Sequence, residues 1–73
     1  EKGNPNSLSD VGVGAICIKT AVRGAWFNVL INAKDLGDRT WAENIVNQAE
    51  ALLRKNHQEC DEIANSIEQR LRA

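Results

Sequence analysis

The ten residues Lys34-Asp35-Leu36-Gly37-Asp38-Arg39-Thr40-Trp41-Ala42-Glu43 end one helical pattern and begin another. The first six are polar apart from Leu36 and contain Gly37, a residue able to take the left-handed conformation that terminates helices. Thr40 with Glu43 three positions on forms a capping box, in which the threonine caps and the glutamate reaches back. The chain therefore reads as a lead-in over 1–8, a helix over about 9–33, a connection over 34–39 and a second helix over about 40–71. Nothing shows the alternation of a strand or an internal repeat. Helices joined by so short a link lie side by side and antiparallel. The expected fold is all-α: an antiparallel helical hairpin, part of an oligomeric helical bundle.

Downstream of the connection, Ile45, Ala49, Leu52, Ile63, Ile67 and Leu71 recur at helical spacing, with Asn56 and Cys60 in the same stripe. Glu43, Glu50, Arg54, Asp61, Glu68 and Arg72 occupy the other side. Upstream, the first helix is apolar nearly all round and holds Gly12, Gly14 and Gly24, each costing up to about 1 kcal/mol relative to alanine. Gly14, Ala21 and Ala25 share one side, with Gly24 beside them, so another helix backbone is expected to approach closely there. Ser7 or Ser9 is a plausible N-cap, with Asp10 in the first turn, where negative charge suits the helix dipole.

Seventy-three residues make one small domain at most. A core of that size supplies only about 3–5 kcal/mol, so partners are expected to complete it. The chain begins at Glu1 and contains no methionine, and is expected to be a piece of a longer protein. Net charge is −1, and the aromatic residues are Trp26, Phe27 and Trp41. A nucleic-acid surface needs clustered cations with stacking aromatics, which argues against that class of partner. Residues 11–33 are long enough to cross a bilayer, at about 34 Å of helix. However, Lys19 and Arg23 fall near the middle, at roughly 2.5–3.5 kcal/mol each, so a buried helix is expected instead of a membrane span.

Cys17 and Cys60 would lie at similar heights on facing helices, so a disulfide is conceivable. The plainer alternative is two buried thiols in a reducing compartment, which suggests the cytoplasm. No cysteine–histidine grouping suits a metal. The lone histidine, His57, reads as a rim residue beside the buried stripe. Asp10 and Asn28 differ by 18 positions, or five turns, so they share one azimuth but stand about 27 Å apart along the axis. One helix cannot bring them into a single site, whereas two copies packed antiparallel can. The structural alternative is that Asp10 stabilises the helix start while Asn28 and Asn32 hold helix register.

Two segments in order, Gly3-Asn4-Pro5-Asn6-Ser7-Leu8-Ser9-Asp10 and Gly24-Ala25-Trp26-Phe27-Asn28-Val29-Leu30-Ile31-Asn32, followed by a long amphipathic helix, resemble the C-terminal third of the cyclodeaminase domain of the formiminotransferase-cyclodeaminase family. The resemblance implies an enzyme of one-carbon folate metabolism that closes 5-formiminotetrahydrofolate to 5,10-methenyltetrahydrofolate with release of ammonia. The related methenyltetrahydrofolate cyclohydrolase activity, and a non-catalytic helical assembly module, are the alternatives. It also implies an oligomer, a tetrahydrofolate derivative as substrate with no tightly bound cofactor, and a site between helices and subunits. On that basis Asp10 is the candidate acid–base or electrostatic group. Asn4, Asn6, Ser7, Ser9, Asn28 and Asn32 are the candidate substrate-binding residues. Most of the family's domain has no counterpart in this chain, so the chain alone is expected to be inactive.

Overall fold

A computed structural model describes residues 5–73, Pro5 by its backbone alone. They form two helices, α1 (Pro5–Lys34) and α2 (Arg39–Arg72), with no strand among the described residues. The all-α hairpin anticipated from the connection is therefore the observed fold. Its antiparallel order is fixed by contacts along its length: Gly12 lies against Ile67, and Lys19 Nζ reaches Asp61 Oδ1 at 2.8 Å.

Two boundaries differ from expectation. α1 starts at Pro5, because proline suits the first helical position, where its missing N–H is not needed. Ser7 and Ser9 therefore lie inside the helix, and Asp10 sits beyond the first turn, which holds no acidic residue. At the connection, Asp38 takes the cap expected of Thr40: its Oδ1 accepts the Trp41 N–H at 3.0 Å, and α2 begins at Arg39. Aspartate is as good a cap as threonine, and standing two residues earlier it captures the amide first. Gly37 is not left-handed. The end of α1 is instead closed by Arg39, whose guanidinium Nη1 donates to the carbonyls of Ala33 (3.0 Å), Leu36 (3.1 Å) and Lys34 (3.4 Å). A cation there satisfies orphan carbonyls and complements the helix dipole.

Along the contact line α1 presents Leu8, Gly12, Ala15, Lys19, Val22, Trp26, Val29 and Ala33, buried or half-buried at alternating steps of four and three. That spacing keeps one narrow stripe facing a partner helix. α2 answers with Ala42, Val46, Ala49, Leu53, Asn56, Cys60, Ala64 and Ile67. Of the stripe expected on α2, Ala49, Asn56, Cys60 and Ile67 lie in this line, but Leu52, Ile63 and Leu71 are exposed. The line is polar at mid-height, where Cys60 Sγ lies 3.8 Å from Asn56 Oδ1. Cys17 is exposed on the far side of α1 while Cys60 is buried, so the hairpin cannot join them in a disulfide; both thiols are free.

The hairpin measures 54 × 17 × 15 Å, with a radius of gyration of 16.6 Å. A compact domain of this length has a radius of about 11 Å. The described core is also thin: Ala15, Ala33, Ala42, Cys60 and Ile67. Residues Asn6–Lys34 of α1 are long and apolar enough to cross a membrane by length and composition, and little of that stretch is buried within the hairpin. Lys19, near its middle, is engaged with Asp61 of α2.

Candidate functional site

At 100° per residue, Asn6, Asp10, Gly14, Cys17, Ala21, Gly24, Asn28 and Asn32 fall within a strip about 80° wide on α1. It lies opposite the contact line with α2, and Gly14 and Gly24 have open space where a side chain would stand. Asp10, Asn28 and Asn32 are all exposed. Neither the Asp10 carboxylate nor the Asn28 amide has a hydrogen-bond or ion-pair partner among the described residues. Within the hairpin, then, neither holds helix register, and Asp10 is too far along to serve the helix start.

The structure brings two of the candidate residues together and leaves the others apart. Asn28 and Asn32 border a hollow of about 330 Å³ completed by Val29, Ala33, Leu36, Trp41 and Ile45. The turn at 35–38 folds Trp41 back beside the end of α1, and its ring is 55% exposed. None of these lining residues titrates near neutral pH, so this hollow can recognise a flat, hydrogen-bonding group but cannot move a proton. Asp10 stands about 27 Å away along α1. Asn6 and Ser7 are exposed near it. Ser9 borders a separate hollow with Gly12, Val13, Ile16 and residues of the α2 end. Asn4 lies outside the described residues.

A further hollow of about 630 Å³ was not anticipated; Lys19, Thr20, Arg23, Gly24, Phe27 and His57 line it. The Arg23 guanidinium lies 5.7 Å from the centre of the Phe27 ring, a cation–π arrangement that holds its charge at the rim. His57 is half-buried rather than on the rim, and its Nε2 is buried with no hydrogen-bond partner. The signal for this grouping was the spacing of Lys19, Arg23 and Phe27 at steps of four, which places all three on one flank of α1. Trp41 could have been found from its place one turn beyond the connection.

Residues 1–51 match the model of the family described as Formiminotransferase-cyclodeaminase. A methenyltetrahydrofolate cyclohydrolase of Methylorubrum extorquens is 45% identical over 53 residues, 73% of this chain and 26% of that protein. Formimidoyltransferase-cyclodeaminases of Rattus norvegicus and Mus musculus are each 38% identical over 68 residues, 93% of this chain and 13% of theirs. The chain thus spans about a quarter or less of the length of these relatives. No solved structure matches it.

Proposed function

Because the chain belongs to the formiminotransferase-cyclodeaminase family, we propose that it is the C-terminal part of a folate one-carbon enzyme that closes 5-formiminotetrahydrofolate to 5,10-methenyltetrahydrofolate. N10 of the folate attacks the formimino carbon, the new N10–C bond forms, and the C–N bond to the departing nitrogen breaks. N10 must give up its proton, and the leaving nitrogen must gain one to depart as ammonia. Asp10 is the group assigned to this proton traffic, or to holding the cationic product by charge. The observation that carries the assignment is its unpartnered carboxylate, exposed on a helix face that the hairpin does not use.

Asn28 and Asn32 are assigned to substrate recognition. Their hollow is at the small end of ligand pockets and combines two amides with the aromatic wall of Trp41, which suits the edge and face of a pterin. Asn6, Ser7 and Ser9 offer further hydrogen bonds near Asp10. The working enzyme is a cytoplasmic homo-oligomer, and this chain alone has no turnover, because its own Asp10 and Asn28 never meet.

A second activity is favoured by one observation: the 45%-identical relative is a methenyltetrahydrofolate cyclohydrolase. That reaction adds water to the methenyl carbon and opens the ring to 10-formyltetrahydrofolate. The two are separated by assaying the intact protein with each substrate. Ammonia release with growth of methenyltetrahydrofolate absorbance from the formimino compound supports the cyclodeaminase. Loss of that absorbance from methenyltetrahydrofolate, with no reaction of the formimino compound, replaces it by the cyclohydrolase. No turnover of either leaves the helical assembly role.

A further inference from the structure

The strip on α1 that faces away from α2 is a palindrome of residue types about position 19. Asn6 mirrors Asn32, Asp10 mirrors Asn28, Gly14 mirrors Gly24, and Cys17 mirrors Ala21. Each pair is equally spaced from position 19, and all eight share one face of the helix. We propose that a second copy of this chain docks there, α1 against α1, antiparallel about a two-fold axis at the level of residue 19. A two-fold interface requires that residue i meet j while j meets i, and this strip satisfies that condition along its length.

The size of the open surface supports one copy as the occupant. The accessible surface is 5592 Å² for a chain of 8.0 kDa, whereas a self-sufficient domain of that mass exposes about 4,450 Å². The excess, about 1,100 Å², covers the roughly 800 Å² that each partner of a standard interface buries. At the centre, Gly14, Cys17, Ala21 and Gly24 are small enough for the two backbones to come close, and a Cβ on either glycine meets nothing within the hairpin.

Such pairing gathers the dispersed polar residues. At each end Asn6 and Asp10 of one copy stand over Asn28 and Asn32 of the other, making two equivalent clusters about 27 Å apart. The partner thereby completes the site, and this part of the proposal rests on the folate function assigned above.

Cysteine cross-linking in the intact protein tests the register. Cys17 of one copy faces Ala21 of the other, so Ala21→Cys with a mild oxidant such as diamide should give a covalent dimer on a non-reducing gel. The unmodified protein should not, because its two Cys17 residues are offset by about 6 Å along the axis and exceed the reach of a disulfide. Gly14→Cys lies on the same face but meets Gly24, and should not cross-link. Cross-linking of Gly14→Cys as strong as that of Ala21→Cys would overturn the register. An oligomer in sedimentation without cross-linking of Ala21→Cys would overturn the docking, since another segment then covers the strip. Turnover separates the shared site from the docking: the cross-linked Ala21→Cys dimer should keep its activity at dilutions that abolish that of the reduced protein. A dimer that cross-links but converts no folate retains the docking and discards the folate site.

Discussion

The two sides of α1 are built on opposite plans. Toward α2 the helix presents Val22, Trp26 and Val29, side chains that fill the gap to a partner, with Gly12 the single point of close approach, against Ile67. Away from α2 it presents a small-residue centre with Asp10 and Asn28 toward the ends, none of them used by the hairpin. α2 shows no such duality: its outer surface carries Glu50–Arg54 and Glu68–Arg72 pairs at i,i+4, suited to water. A helix that must satisfy two neighbours is apolar nearly all round, while a helix with one neighbour is amphipathic. Substitutions on the inner side of α1 should therefore cost hairpin stability, and those on the outer side assembly or activity.

The sharpest separation is expected at Asp10. In the intact protein Asp10→Asn should lower turnover by about 100-fold or more, the usual scale of an acid–base group. Thermal melting and oligomeric state should stay unchanged, because the carboxylate has no partner in the hairpin. Steady-state assay of methenyltetrahydrofolate formation beside a melting curve measures both. Full activity would return Asp10 to a purely structural place on the outer strip.

Gly12 and Gly24 compare the two sides with one chemistry. A Cβ at Gly12 stands 3.3 Å from Ile67 Cγ2, so Gly12→Leu forces the helices apart and should cost about 1–3 kcal/mol of hairpin stability. Gly24→Leu meets nothing within the hairpin and removes a poor helix former, so the hairpin should hold or gain. Its damage should appear in sedimentation, as weakened assembly. Hydrogen exchange of α2 amides reads the first effect; equal loss of protection in both variants would erase the distinction between the sides.

How much of this was legible in the sequence follows from how local each signal is. The hairpin was readable because a polar connection with a cap lies between two long periodic runs, and both features act within a few residues. The cap itself shifted from Thr40 to Asp38, since two adequate caps lay within three positions and only geometry chooses between them. The closing role of Arg39 was invisible, because it depends on where the turn points a long side chain. Which stripe of α1 faces α2 was undecided for a helix apolar nearly all round: Gly14 and Gly24 promised a close helix approach, and within the hairpin Gly12 supplies it. Asn28 and Asn32 could be paired by spacing, but Trp41 joins them only once the chain has turned back.

The cap gives a smaller test, on the joint shared by both helices. Asp38→Ala removes the acceptor of the Trp41 amide and should cost about 1 kcal/mol, whereas Thr40→Ala, one residue inside the helix, should cost only a few tenths. Melting of the two variants in parallel ranks them, and a larger loss at Thr40 would restore the capping box.

The smallest effect is expected at Lys19, the charge on the inner side of α1. Its ammonium meets Asp61 at 2.8 Å, but both side chains remain well exposed, at 38% and 54%. Exposed ion pairs contribute about 0–1 kcal/mol, and salt screens what they do contribute. Lys19→Met keeps the aliphatic stem against α2 and removes only the charge, so melting should fall by less than about 1 kcal/mol and lose its sensitivity to added salt. A loss of several kcal/mol would mean that the pair is shielded by a neighbour covering the Lys19 flank, the side of α1 that also carries Arg23 and Phe27. The hairpin would then have a second partner beyond the copy assigned to its outer strip, and α1 would be packed on three sides instead of two.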